Sequence, residues 1–212
     1  PAAFLGALSA TGLIYALAWK RGVRPTRMIL AGVAVSSLLG ACINGLMIFF
    51  PDRVSGVVDF MVGGLAGRTW KHVRMLWPYA AVGTAGAFLM ATRLNILALG
   101  DDTATALGLS VERTRALLIA IASMLAAAAV SVAGLLGFVG LIAPHMMRAL
   151  VGSDHRILVP ATALFSAGLL VSCDTLGRMA LDPVELPVGI IMAALGAPFF
   201  LYLLRGDDRH AS

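Results

Sequence analysis

Long uncharged apolar runs recur along this chain and restrict it to one kind of fold. Pro1 to Trp19 and Met28 to Phe50 contain no charged side chain, and Ala116 to Met147 has only His145 as a possible cation. A helix crossing a bilayer core needs about 20 apolar residues. Charged residues make up 13% of the 212 and apolar ones 59%, whereas soluble domains carry about 25% charge. A water-soluble fold of this size could not hide so much apolar surface, so lipid must solvate much of it. The expected class is all-α, a polytopic transmembrane helical bundle.

The runs and their punctuation give the layout. After the first run, Lys20, Arg21, Arg24 and Arg27 form a short basic loop, and Pro51-Asp52-Arg53 closes the second. Ser55 to Arg74 is Gly-rich and mixed, with Asp59, Gly63, Gly64, Arg68, Trp70, Lys71 and His72; it reads as a short helix and turn at the surface. Met75 to Thr92 is a third span, with Trp77-Pro78-Tyr79 as an interfacial anchor. Arg93 to Arg115 is the longest polar stretch and reads as two short helices. Asp101 or Asp102 would cap the second, and Gly108 would end it.

Ala116 to Met147 is too long for one span and too short for two. Gly134, Gly137 and Gly140 interrupt it. The reading is a helix to about Leu136, a turn at Gly137, and a short returning helix through Pro144 and His145 to about Leu150. Asp154-His155-Arg156 is a solvated loop with a helix cap. Ile157 to Cys173 leads a further span that ends near Asp174 and Arg178. The turn Leu181 to Pro187 precedes the last span, Val188 to Leu204, with Pro187 and Gly189 marking the entry; Arg205 to His210 is a polar tail. Pro1 opens directly into an apolar run, with no basic n-region or cleavage site. The chain is therefore expected to be a piece of a longer protein, beginning inside a span.

Basic residues orient the bundle. With a cytoplasmic tail, eleven Lys and Arg side chains fall in loops 20–27, 93–115, 148–156 and 205–210, and five (Arg53, Arg68, Lys71, Arg74 and Arg178) fall on the other side. The positive-inside bias favours this arrangement. It holds only if Gly137 to Leu150 crosses the membrane. The net charge of +5 is scattered between spans rather than gathered on one face, so nucleic acid is not an expected partner.

The polar residues carry little catalytic chemistry. His145 beside a proline is no metal-ligand set, and an imidazole bonded to a freed backbone carbonyl is the simpler role. Asp174 is the most membrane-embedded acid, which makes it a functional suspect, but Arg178 lies four residues on and would pair with it on one helix face. Cys42 and Cys173 read as buried hydrophobes. Phosphate loops, nucleophile elbows, HExxH and paired Cys-x-x-Cys motifs are absent. An ion-driven transporter would need ion-coordinating groups near mid-span, for which Asp174 is a poor candidate. An intramembrane enzyme would need a second catalytic group at the depth of His145 or Asp174.

Four segments together resemble one family. GFVGLIAPHMMRALVGSDHR, LPVGIIMAALGAPFFLYLLR, FMVGGLAGRTW and LNILALGDDTATALGLSVERTR, in their order along nearly the whole chain, are similar to the FecCD-type permeases of bacterial ABC importers for iron(III)–siderophores, haem or vitamin B12. The resemblance implies an inner-membrane subunit of about ten helices, of which this chain supplies about the last seven. It implies a second permease subunit (identical, related or fused), two ATPase subunits that carry the ATP and magnesium, and a periplasmic binding protein. No cofactor or metal is expected on this chain. A siderophore is the expected cargo, on family frequency.

The resemblance also assigns sites. Residues 93–115 are similar to the cytoplasmic coupling segment, with Asp101, Asp102, Thr103, Ala104, Ala106, Leu107, Gly108 and Glu112 as its ATPase-coupling residues. Small residues there would allow close seating, and the acids would meet basic groups. Arg178 in DTLGRMALDP matches the periplasmic arginine that pairs with a glutamate of the binding protein, with Arg68 and Lys71 as further candidates for that surface. Residues 55–74 would be a periplasmic surface helix, and Gly137, Gly140, Pro144, His145, Pro187 and Gly189 structural turn positions. Ser172-Cys173, before Asp174, departs from the apolar or acidic residues common in the family.

Overall fold

The computed structural model describes residues 2–18, 25–180 and 185–207. The basic residues Lys20, Arg21 and Arg24, the Leu181 to Val184 part of the expected turn, and the end of the polar tail lie outside them. The described residues form α1 (Ala2–Ala18), α2 (Pro25–Phe49), α3 (Val54–Val62), α4 (Trp70–Leu89), α5 (Ala91–Leu97), α6 (Asp101–Ala106), α7 (Val111–Ala133), α8 (Val139–Val151), α9 (His155–Met179) and α10 (Val188–Asp207). The fold class is all-α, as expected.

Three helices, Thr26–Phe49, Val111–Ala133 and His155–Met179, are long and apolar enough to cross a membrane. Trp70–Leu89 and Ala91–Leu97, bent by 49°, make a fourth candidate. Ala3–Ala18, Val139–Val151 and Val188–Leu203 are shorter apolar helices. Among the described residues, each segment expected in the membrane is thus largely helical, some of the helices shorter than a full span. Their outer faces are apolar: Ile48 and Phe49 are each 79% exposed, which suits side chains that meet lipid. Exposed Trp70 and Trp77 stand near the start of α4, where amphipathic rings fit a headgroup layer.

Two boundaries differ from expectation. α4 begins at Trp70 rather than Met75, so the polar WKHVR is its first turn and a half. The expected surface helix over 55–74 is not continuous: it is a short helix to Val62, as the helix-and-turn reading has it, then an irregular segment in which Gly63 and Gly67 adopt positive φ, then the first residues of α4. Cys173 is buried as expected, but Cys42 is exposed.

The residues expected to form one transmembrane domain gather into two compact units. The first combines residues up to Val58 with Val73–Ser131. In it α1 packs on α2, and Phe4 meets Tyr79 with ring centroids 4.9 Å apart. α4 lies so close to α7 that a Cβ on Gly83 would overlap the Leu125 side chain, and one on Gly86 would press on Ile121. Small residues suit such contacts in lipid, where helix association rests on close packing.

The second unit combines Asp59–His72 with the chain from Val132. Here α8, α9 and α10 pack on one another around Ile142, Cys173, Val188 and Met192. At 13 residues, α8 is about 20 Å long, well short of a hydrocarbon core of about 30 Å. Residues 134–138 precede it without helix. The break includes Gly137, but the left-handed backbone falls on Gly134 (φ 73°) and on Phe138 (φ 64°), the N-cap of α8. Gly140 is already inside α8, and a Cβ there would meet nothing. A left-handed phenylalanine is strained; its ring sits where a side chain on Gly196 of α10 would otherwise be.

The non-helical backbone is paired rather than left open. Gly64 N–H donates to Ala133 C=O at 2.8 Å, Leu135 N–H to Phe60 C=O at 3.0 Å, and Leu186 N–H to Gly177 C=O at 3.0 Å. A Cβ on Gly63 would overlap the Leu135 carbonyl, and one on Gly189 the Val62 carbonyl. Gly189 thus permits backbone to approach backbone at the start of α10, a packing role rather than a turn.

Gly189→Ala and Gly196→Ala are expected to destabilise the purified protein by about 1–3 kcal/mol each through overpacking. Gly140→Ala should be neutral or stabilising by up to about 1 kcal/mol. Thermal unfolding in detergent checks this; equal midpoints for all three variants would contradict the packing described.

Candidate functional site

Two polar sites stand out, one in each unit. In the second unit, a groove of about 470 Å³ is lined by the Gly63–Arg68 segment, the last turns of α9, and Glu185 to Val188. Its charged lining is Asp59, Arg68, Asp174, Arg178 and Glu185. Pro187 sits just before α10, where a missing N–H costs nothing, and its carbonyl accepts from Ile190 N–H at 3.0 Å.

Arg178 and Asp174 form the expected pair, with Arg178 Nε donating to Asp174 Oδ2 at 2.8 Å. The Arg178 side chain is 45% exposed and that of Asp174 20%. Among the described residues nothing bonds the two terminal amino groups of Arg178, so its guanidinium is held at one edge and open at the other. An edge of that kind fits a carboxylate in bidentate fashion. Arg68 lines the same groove, whereas Lys71, exposed on α4, does not.

The second site is the α5–α6 segment of the first unit. Gly108 ends α6 as expected: it has φ 79°, its N–H donates to Thr105 C=O at 2.9 Å, and Leu109 N–H donates to Ala104 C=O at 3.0 Å. These are the two bonds of a Schellman closure. The expected acid cap is different. Gly100 (φ 97°) is the N-cap of α6, and Asp101 and Asp102 are its first helical residues. Asp101 instead takes Arg115 in a bidentate pair, Oδ1 to Nη2 at 2.6 Å and Oδ2 to Nη1 at 3.0 Å. Its carboxylate is thus engaged within the chain, not held open for a basic group of a partner. Ala104 is fully buried and also leaves the expected seating surface. Asp102, Thr103, Ala106, Leu107, Gly108 and Glu112 are exposed.

The Pro144–His145 stretch carries no reactive cluster. Pro144 and His145 lie inside α8. In place of the expected carbonyl bond, the exposed His145 ring meets Phe199 edge-on, centroids 6.1 Å apart. Asp154 caps α9, its Oδ1 accepting from Arg156 N–H at 2.9 Å. Among the described residues no group of three or more His, Cys, Asp or Glu side chains converges as a metal site.

Sequence reasoning missed three features of these sites. Glu185 and Asp59 reach the groove only because separated segments meet there. Asp101 and Arg115 lie fourteen residues apart in two different helices, so no helical period links them.

The fold and sites define a multi-pass helical membrane protein with charged side chains gathered at helix ends. The sequence model of the FecCD transport family matches residues 1–206, and the chain belongs to that family. It is 47% identical over its full length to the cobalamin import system permease protein BtuC of Halobacterium salinarum, covering 57% of that protein. It is 38% identical over 98% of its length to the Fe(3+)-citrate import system permease protein YfmE of Bacillus subtilis, covering 62% of it. A solved structure described as an inward-facing metal-chelate type ABC transporter superposes with a TM-score of 0.88 at 29% identity, over 96% of this chain and 65% of that one. The chain thus spans about three fifths of the length of these relatives.

Because the Asp174–Arg178 bridge is half-exposed and local, its contribution to stability is small. Asp174→Asn should lower stability by no more than about 0.5 kcal/mol. A loss above about 2 kcal/mol in thermal or denaturant unfolding would mean the pair is a buried support and not an exposed surface bridge.

Proposed function

We propose that this chain is part of the permease subunit of an ABC importer that brings a metal chelate through the cytoplasmic membrane. The observation that carries the reading is the family match over residues 1–206, collinear with permease proteins of metal-chelate import. The partners are a second permease subunit (identical, related or fused), two ATPase subunits that bind ATP and magnesium, a substrate-binding protein outside, and lipid. This chain itself binds no nucleotide, metal or nucleic acid and hydrolyses nothing.

Residues 93–115 are the cytoplasmic coupling segment. Asp102, Thr103, Ala106, Leu107 and Glu112 form the face that meets the ATPase, and the turn at Gly108 lets it seat. The groove faces outward, with Arg178 receiving a carboxylate of the binding protein and Arg68 beside it; Lys71 extends the basic surface. ATP binding and hydrolysis would shift α6, and the spans would then exchange between inward-open and outward-open populations.

The cargo class is a metal chelate. Family frequency favours an iron(III)–siderophore; the 47% identity to a cobalamin permease favours cobalamin. ATP hydrolysis separates them when the full-length permease is reconstituted with its neighbouring ATPase and binding protein. Ferric siderophore, haem and cobalamin are supplied in turn. Stimulation by one loaded binding protein names the cargo, and an ATPase that never associates contradicts the importer reading.

Gly108→Glu is expected to uncouple hydrolysis from transport in a folded protein, because φ 79° is strained for any side chain and the added charge enters the seating face. Unimpaired uptake by this variant would remove the coupling role. Arg178→Glu should weaken binding-protein docking by about tenfold or more at low salt, and by less as salt rises.

A further inference from the structure

A six-residue helix such as α6 is too short to hold its shape or direction by itself. It needs ties to something larger, and the structure supplies one at each end. At its C-terminal end the Schellman closure passes through Gly108 into the Leu109-Ser110 link and then α7. A single glycine joint of that kind is a pivot. At its N-terminal end Asp101, the first residue of α6, grips Arg115, the fifth residue of α7, through two parallel bonds of 2.6 and 3.0 Å. Thr105 Oγ1 donates to the Asp101 carbonyl at 2.8 Å and stiffens the helix between the two ties.

A lone surface ion pair moves little. This one differs in geometry. It is bidentate, which fixes direction as well as distance, and it closes a loop whose other end is the pivot. With both ends tied, α6 cannot swing about Gly108 without drawing on α7. With the pair cut, only its packing on α5 and around the buried Ala104 opposes that swing.

Resting on the importer reading above, we propose that Asp101 and Arg115 are a positioning pair: a strut that makes α6 and α7 move as one body, so that displacement of the coupling helix reaches the membrane span instead of being lost at Gly108. Neither residue need touch the ATPase for this role.

The test uses the full-length permease with its ATPase and binding protein in proteoliposomes, and cobalamin, haem and a ferric hydroxamate as probes. The readout is chelate imported per ATP hydrolysed, a ratio independent of how much complex assembles. Asp101→Asn and Arg115→Gln should each lower that ratio by about fivefold or more. Arg115→Lys, which keeps charge but loses the fork, should fall between. The exchange of both residues, Asp101→Arg with Arg115→Asp, should regain at least half of the loss. Unchanged ratios in the single variants overturn the strut, and so does a defect that the exchange leaves untouched. An ATPase that never associates with the wild-type permease overturns the importer reading itself, and the strut with it.

Discussion

Backbone hydrogen bonding where helices break is the constraint on which the second unit depends. Lipid offers no water to an open N–H or C=O, and each unpaired group there costs several kcal/mol. α8 is too short to span alone, and residues 134–138 before it are not helical. The segment is tolerable because Ala133 and Leu135 exchange bonds with Gly64 and Phe60, and because Leu186 is tied to Gly177. Backbone can reach backbone at these points only where side chains are missing, which is why Gly63, Gly134, Gly177 and Gly189 stand there. The glycines are thus conditions for a broken span, not signs of looseness.

That pairing also builds the groove. The segment held against the α7–α8 break carries Arg68, and the one tied to Gly177 carries Glu185; both are brought to the end of α9, where Arg178 is held by Asp174. The charged side chains gather at helix ends and not along the apolar faces, so they incur little of the penalty for ionised groups at mid-bilayer.

Much of the architecture was legible in the sequence, and the legible parts share a cause. Uncharged runs of about 20 residues reveal spans because lipid permits little else. Asp154 as a cap, Gly108 as a stop and Asp174–Arg178 as a pair are local, fixed by separations of a few residues. The parts that were not legible are long-range. Gly134 and Phe138 take the left-handed positions because of what packs around them, not because of their neighbours in sequence. Asp101 looked like a cap or a partner contact and proved to be bound to Arg115. Gly189 looked like a turn and is a contact point. Cys42 looked buried because its neighbours are apolar, yet in a membrane protein an apolar face can point outward.

The orientation of the second unit depends on whether Gly137 to Leu150 crosses the bilayer. Cysteine accessibility measures this directly. In a full-length background with Cys42→Ala and Cys173→Ala, Ser153→Cys and Glu185→Cys are each introduced and probed with a membrane-impermeant maleimide on right-side-out vesicles. The account predicts that the Glu185→Cys variant is labelled from outside and the Ser153→Cys variant only after the membrane is opened. The reverse pattern, with the Ser153→Cys variant labelled from outside and the Glu185→Cys variant only after the membrane is opened, would mean that α8 does not complete a crossing, and the outward-facing groove would have to be abandoned.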